Sequence, residues 1–201
     1  MKRICLITHC EASHSLDRRV GGWFESELTE KGIRQASQLA GKIDELGFDI
    51  RNLSVYSSDL KRAAQTAEIL TKGSNTIPQL DQRLREMSFG THEGMAQSQH
   101  KKSMVPISSD GNRLDHRICN GAESRRNVAE RISAFVDEIM RLEKDIVVIT
   151  HGFAATFFIA AFQKIDISSM GYLNYRLEPG SISILEEDDL FRNRTISLLN
   201  G

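Results

Sequence analysis

Two short apolar runs, Ile4-Cys5-Leu6-Ile7 and Ile146-Val147-Val148-Ile149, stop in the same way: Thr8-His9-Cys10 follows the first, Thr150-His151-Gly152 the second. Continuous apolar runs rich in β-branched residues predict strands buried on both faces, as in a parallel sheet. Between them the period changes. After Leu28-Thr29-Glu30, with Thr29 as N-cap, apolar residues recur at Ile33, Ala36, Leu39, Ala40, Ile43 and Leu46, and Gly47 ends the helix. Leu53 to Tyr56 predicts a second strand, ending at Ser57-Ser58-Asp59. A helix follows with Leu60, Ala63, Ala64, Ala67 and Leu70 on one face. A short strand is expected near Ile77 to Leu80, and a long helix over about 123–142 with Val128, Ile132, Phe135 and Ile139 inward. A further helix should start near Gly152, and strand-like stretches lie around 181–185 and 195–199. Strands alternating with helices predict an α/β fold, a three-layer α/β/α sandwich around a mostly parallel sheet.

The segment from about 91 to 120 breaks this rhythm, with Gly, Ser and His and few apolar positions. A long connection of this kind is a lid or substrate-binding loop, or else a surface insertion; the pattern leaves both open. No linker or repeat divides the chain, so residues 1–201 are expected to form one domain.

Composition narrows the function classes. The 201 residues are 40% hydrophobic and 26% charged, ordinary for a globular protein, with a formal net charge of -1 and no basic run. Binding to nucleic acid through a charged face is not expected. The opening Met1-Lys2-Arg3 and its apolar run end too soon, at Thr8-His9 and Glu11, for a signal peptide core, and no run reaches membrane-span length. Three cysteines, Cys5, Cys10 and Cys119, show no metal-type pairing, which suggests a reduced, cytoplasmic setting.

The chemistry starts from the two histidines. Ligands of open α/β sheets bind at the carboxyl ends of the strands, so His9 and His151 are expected across one pocket. There imidazole can serve as nucleophile, acid–base group or metal ligand. Arg62, in the first turn after Ser57-Ser58-Asp59, would add a guanidinium and a helix N-terminus, which together favour an anion such as phosphate.

Five blocks, in order along nearly the whole chain, resemble the histidine phosphatase superfamily, also called phosphoglycerate mutase-like. They are Leu28-Thr29-Glu30-Lys31-Gly32-Ile33-Arg34-Gln35-Ala36, Ser57-Ser58-Asp59-Leu60-Lys61-Arg62-Ala63-Ala64-Gln65-Thr66-Ala67, Leu84-Arg85-Glu86-Met87-Ser88-Phe89-Gly90 with Glu93-Gly94, Gly121-Ala122-Glu123-Ser124, and Thr150-His151-Gly152. The resemblance implies a phosphoglycerate mutase-like fold and phosphomonoester hydrolysis in two steps. His9 would be the nucleophile that becomes phosphohistidine, and Glu86 the acid–base group. Arg62 and His151 would hold the phosphoryl oxygens. Thr8, Ser15, Ser58 and Gly152 complete the expected substrate-binding set. The implied partner is a small phosphorylated substrate, and the scheme requires no metal or other cofactor.

The family's first motif, outside these five blocks, is altered in this chain. Where the family has Arg-His-Gly, this chain reads Thr8-His9-Cys10, and Ser15 stands where the family has Asn. Replacing the Arg removes a positive charge from the phosphate clamp; Arg18 and Arg19 in the following loop are the candidates to supply it. A catalytically weak or inactive phosphoester-binding or regulatory protein on the same fold is the alternative reading. Two other chemistries can be written on these residues. His9, His151 and Glu86 could form a two-His, one-carboxylate metal site. Cys119 and Arg125 have C-x5-R spacing, although Glu123 falls where a phosphate cradle needs backbone donors.

Overall fold

The computed structural model describes every residue except Asp110. Its centre is a six-stranded sheet in the order β3-β2-β4-β1-β5-β6. The strands are β1 (Lys2–Thr8), β2 (Ser54–Ser57), β3 (Gln79–Leu80), β4 (Ile146–Thr150), β5 (Ile182–Glu187) and β6 (Arg194–Leu198). The first four run parallel; β5 and β6 add an antiparallel pair beside β1. The helices are α1 (Ser13–Leu16), α2 (Glu30–Glu45), α3 (Lys61–Leu70), α4 (Gln97–Ser103), α5 (Arg125–Ile139) and α6 (Gly152–Phe162).

Strand alternation builds the predicted three layers. Ile4, Leu6, Ile146 and Val148 point to one face and pack with α5 and α6. Cys5, Ile7, Val147 and Ile149 point to the other and pack with α2 and α3. Both faces are covered, which is why β1 and β4 read as unbroken apolar runs. Helix α6, apolar on nearly every side, is buried as such a helix must be.

Two helices differ from their predicted form for local reasons. The Thr29 hydroxyl caps α2 by accepting from the Gly32 N–H at 3.0 Å. The buried face of this helix is Gly32, Ala36, Leu39 and Ile43, and Ile33 is 46% exposed instead of inward. The face is rotated because Gly32 lies against the loop after β1: a Cβ there would stand 2.0 Å from the Glu11 carbonyl oxygen. Helix α5 is shorter than predicted, because Ser124 and Asn127 form a reciprocal capping box that fixes its start at Arg125. Short α1 and α4 carry no periodicity long enough to read from sequence.

Thr8 pairs with Thr150 across β1 and β4, and the His9 N–H donates to the Thr150 carbonyl at 2.9 Å. The two Thr-His ends are therefore neighbours. Among the described residues no helix is long and apolar enough to cross a membrane.

Candidate active site

A cleft of about 320 Å³ lies above these strand ends, with His9, Arg62 and Glu86 among its lining residues. Each arrives from a different element: His9 directly after β1, Arg62 in the first turn of α3, and Glu86 from the irregular chain before α5.

The hydrogen bonds of His9 fix its chemistry. Its Nδ1 lies 2.8 Å from the Cys10 carbonyl oxygen, which can only accept, so the ring proton sits on Nδ1. Its unprotonated Nε2 accepts from the Arg62 Nε–H at 3.2 Å, so its one lone pair is held by the guanidinium until that bond is exchanged for a phosphoryl oxygen. Burial, reinforced by the Arg62 cation, pushes the imidazole down to about 3. A neutral histidine with an unprotonated Nε2 is a competent nucleophile at physiological pH.

Arg62 is fixed at its other end too: Nη1 donates to the Phe24 carbonyl at 3.0 Å and Nη2 to the Gly22 carbonyl at 2.7 Å. The guanidinium is buried without a carboxylate in contact, and desolvation lowers its pKa. His151 is fully buried, its ring 5.0 Å from that of His9. Its Nε2 is 2.8 Å from the Ser58 hydroxyl, whose oxygen accepts from the Leu60 N–H. Its Nδ1 is buried and, among the described residues, has no hydrogen-bond partner. Burial, with Arg62 and His9 nearby, holds His151 well below the ordinary range of imidazole.

Glu86 sits on the N-terminus of α6. Its Oε2 accepts from the Phe153 N–H at 3.1 Å, and its Oε1 from the Ala154 and Met87 N–H groups at 3.0 and 2.9 Å. Burial pushes the carboxyl above its usual range, against the pull of these donors and of Arg62. A buried carboxyl whose proton is held more tightly than usual is suited to donate that proton and take it back.

The comparisons with known proteins decide the family. The model of the histidine phosphatase superfamily, branch 1, matches residues 4–196. The chain belongs to this superfamily. It is 30% identical over 164 residues to a Cronobacter sakazakii protein named probable phosphoglycerate mutase GpmB, covering 77% of this chain and 71% of that one. The Escherichia coli protein of the same name is 31% identical over 162 residues, with the same coverage. Among solved structures, a mycobacterial glucosyl-3-phosphoglycerate phosphatase bound to VO3 superposes with a TM-score of 0.81 over the full length of both chains at 24% identity. The α-ribazole phosphatase from Shigella flexneri gives 0.80 at 23% identity, covering 99% of this chain and 96% of that one. Membership makes the chain a phosphatase-type enzyme of phosphoester chemistry.

The departures from the superfamily pattern have definite places. Thr8 does not line the cleft: its hydroxyl donates to the Glu178 carbonyl and lies 3.2 Å from the Ser181 hydroxyl. Cys10 is turned into the apolar layer beside Leu28, Ala36 and Ile182, and burial raises its thiol to about 11. Ser15 does line the cleft, whereas Ser58 acts only through His151, and Gly152 opens α6 beneath Glu86. Of the C-x5-R pair, Cys119 donates to the Phe89 carbonyl and Arg125 to the Leu173 carbonyl. Among the described residues no three His, Cys, Asp or Glu side chains are grouped to hold a metal ion.

Sequence reasoning missed two contributors to this candidate site. His14 lines the cleft with its ring 6.0 Å from His9 and its Nδ1 2.8 Å from the Ser26 hydroxyl; burial, with Arg62, lowers it to about 4. Arg131 on α5 donates to the carbonyls of Arg83, Arg85 and Glu86 and pairs with Glu123, holding the chain that presents Glu86. His14 lies in a loop without periodicity, and Arg131 reads as an ordinary polar position on an amphipathic helix.

Neutral buried histidines make stability depend on pH. Imidazole in the unfolded chain titrates near 6.5, while burial pushes His9 down to about 3 and holds His151 well below 6.5 in the folded protein. The unfolded state therefore binds more protons below pH 6.5. Their contribution is complete above that pH and is lost as pH falls toward the folded values. For two such rings the slope reaches about 3 kcal/mol per pH unit. Urea midpoints should accordingly fall between pH 7.5 and pH 5, and a midpoint constant over that range would contradict the neutral assignment.

Proposed function

We propose that this enzyme hydrolyses small phosphomonoesters through a phosphohistidine at His9. The observation that carries this reading is the Nδ1 bond of His9 to the Cys10 carbonyl, which leaves Nε2 unprotonated and in contact with the Arg62 guanidinium. In the first step the Nε2 lone pair forms a bond to phosphorus. The bond from phosphorus to the ester oxygen breaks, and Glu86 gives its proton to the departing oxygen. In the second step the Glu86 carboxylate takes a proton from water, the water oxygen bonds to phosphorus, and the P–N bond breaks. Phosphate leaves, and His9 and Glu86 return to their starting states. Arg62 and His151, whose buried Nδ1 has no partner among the described residues, stabilise the equatorial oxygens, where charge accumulates.

Thr8 weakens the clamp. A superfamily Arg at this position would add a cation, and losing one preorganised contact of this kind costs about 10²–10³ in rate. We place the enzyme in the cytoplasm and read residues 1–201 as one functional unit, with the 91–120 segment walling the cleft. Transfer of the phosphoryl group to a second substrate hydroxyl, as the name of the GpmB relatives suggests for those proteins, would use the same intermediate.

The test is release of phosphate from an aryl phosphate with a strong chelator present. Turnover that survives the chelator supports the reading. Binding of phosphate without any turnover would favour a phosphoester-binding protein instead.

A further inference from the structure

Arg62 and Glu86 come from elements distant in sequence, and one residue outside the cleft joins their supports. Between α1 and α2 the chain forms neither helix nor strand beyond isolated bridges. Gly21 to Phe24 make a tight turn there, closed by the Phe24 N–H donating to the Gly21 carbonyl at 2.9 Å. Gly22, at its first central position, has a φ of +57°, and a Cβ on it would stand 2.9 Å from the Phe89 ring. The turn presents the carbonyls on either side of Trp23 to Arg62. Gly22 accepts from Nη2 at 2.7 Å and Phe24 from Nη1 at 3.0 Å.

The indole of Trp23 reaches Glu86. Its Nε1–H donates to the Glu86 main-chain carbonyl at 2.7 Å, and the Arg131 Nη2 donates to the same oxygen at 3.0 Å. Two donors use both lone pairs of that carbonyl, which pins the backbone from which the Glu86 carboxyl extends. The Arg85 guanidinium lies 4.8 Å from the centroid of the indole, and Asp59 holds it in turn by two bonds of 2.7 and 2.6 Å. The ring is therefore fixed on its face as well as at its edge. Trp23 does not line the cleft, so it acts through the groups that do.

We propose that Trp23 is a positioning residue that sets the Glu86 carboxyl against the phosphoryl site, its indole N–H fixing Glu86 and its flanking carbonyls fixing Arg62. This role deepens the phosphomonoesterase reading and rests on it. The two attachments respond differently to substitution. The carbonyls that hold Arg62 belong to the backbone and survive exchange of the side chain, whereas the bond to Glu86 does not. Proton transfer is thus the step that depends on the indole, because a carboxyl displaced by about 1 Å loses the contact that transfer requires.

The test compares kcat/KM, which covers the steps up to departure of the ester oxygen, for an alkyl phosphate and a nitrophenyl phosphate. Trp23→Phe keeps an aromatic face for Arg85 and removes the N–H. It should lower kcat/KM for the alkyl ester about 10- to 100-fold. The nitrophenyl ester, whose leaving group needs little protonation, should lose far less. Inhibition by inorganic phosphate should be retained, since Arg62 keeps both carbonyl partners. A phenyl ring is also smaller, so a second protein would carry Trp23→benzothienylalanine, which keeps the shape of the indole with sulfur in place of N–H. It should show the same contrast. Equal losses on the two esters, or loss of phosphate inhibition in both variants, would assign Trp23 to general support of the fold and overturn its role. Rates that match the parent on both esters would overturn it as well. Absence of phosphate release by the parent from either ester would instead overturn the hydrolytic reading itself.

Discussion

A His9→Ala protein is expected to fold and to lose hydrolysis by about 10³-fold or more, because the step that forms the P–N bond has no substitute nucleophile. His14, the nearest other imidazole, stands 6.0 Å away ring to ring and is tied through Nδ1 to Ser26. Cys10, its neighbour in sequence, faces the apolar layer with a thiol near 11, so it cannot take over. The variant also removes a buried group that resists protonation. Its urea midpoint should therefore fall less than the parent's between pH 7.5 and pH 5. Loss of activity with retained or improved acid stability separates a missing nucleophile from a damaged fold. Activity within tenfold of the parent would contradict the role given to His9.

The second large effect belongs to Glu86. Glu86→Gln should reduce hydrolysis of an alkyl phosphate by about 10²–10⁴, since an alkoxide cannot leave readily without the proton. The same variant should lose far less on a nitrophenyl phosphate, whose leaving group needs little protonation. This contrast matters because the substitution has a structural cost as well. An amide nitrogen cannot accept from Phe153 or Ala154, so one N–H of α6 loses its partner, at a cost of about 1–3 kcal/mol. A purely structural defect would slow both substrates by the same factor. Equal losses on the two esters would assign Glu86 to the support of α6 and not to proton transfer.

Much of this architecture was legible in the sequence, and the reasons are physical. Buried parallel strands leave continuous apolar runs, so β1 and β4 were visible along with their shared Thr-His ends. Helix α5 faces the core with the predicted residues, and α3 does so with Ala63, Ala67 and Leu70, although Ala64 is only half-buried and Arg62 and Thr66 are buried in addition. The failures share a cause: they depend on what a residue meets in space. Ile33 fits the helical spacing of α2, yet close approach at Gly32 turns it outward. Thr8 and Thr150 look equivalent in sequence and pair in the sheet, but each hydroxyl serves the backbone, Thr8 at Glu178 and Thr150 at Leu84.

The site was legible in part for the same reason. His9, Arg62 and Glu86 line one cleft, with His151 directly behind His9. Thr8, expected beside the substrate, is turned away, and Cys10 adds its side chain to the core instead of to the cleft. Of the two arginines expected to replace the missing charge, Arg19 reaches the cleft and Arg18 does not line it. The wall formed by α4 could not be read, since seven residues without an apolar stripe give no periodic signal.

The central claim is the covalent intermediate on His9, and a quench experiment tests it most directly. The enzyme would be mixed with a phosphomonoester labelled at phosphorus, stopped in base within milliseconds, digested and analysed by mass spectrometry. The account predicts one labelled peptide, containing residues around His9 and phosphorylated on Nε2, stable in base and lost in acid. Rapid hydrolysis with no label on His9 at any time, or label on another residue, would contradict it.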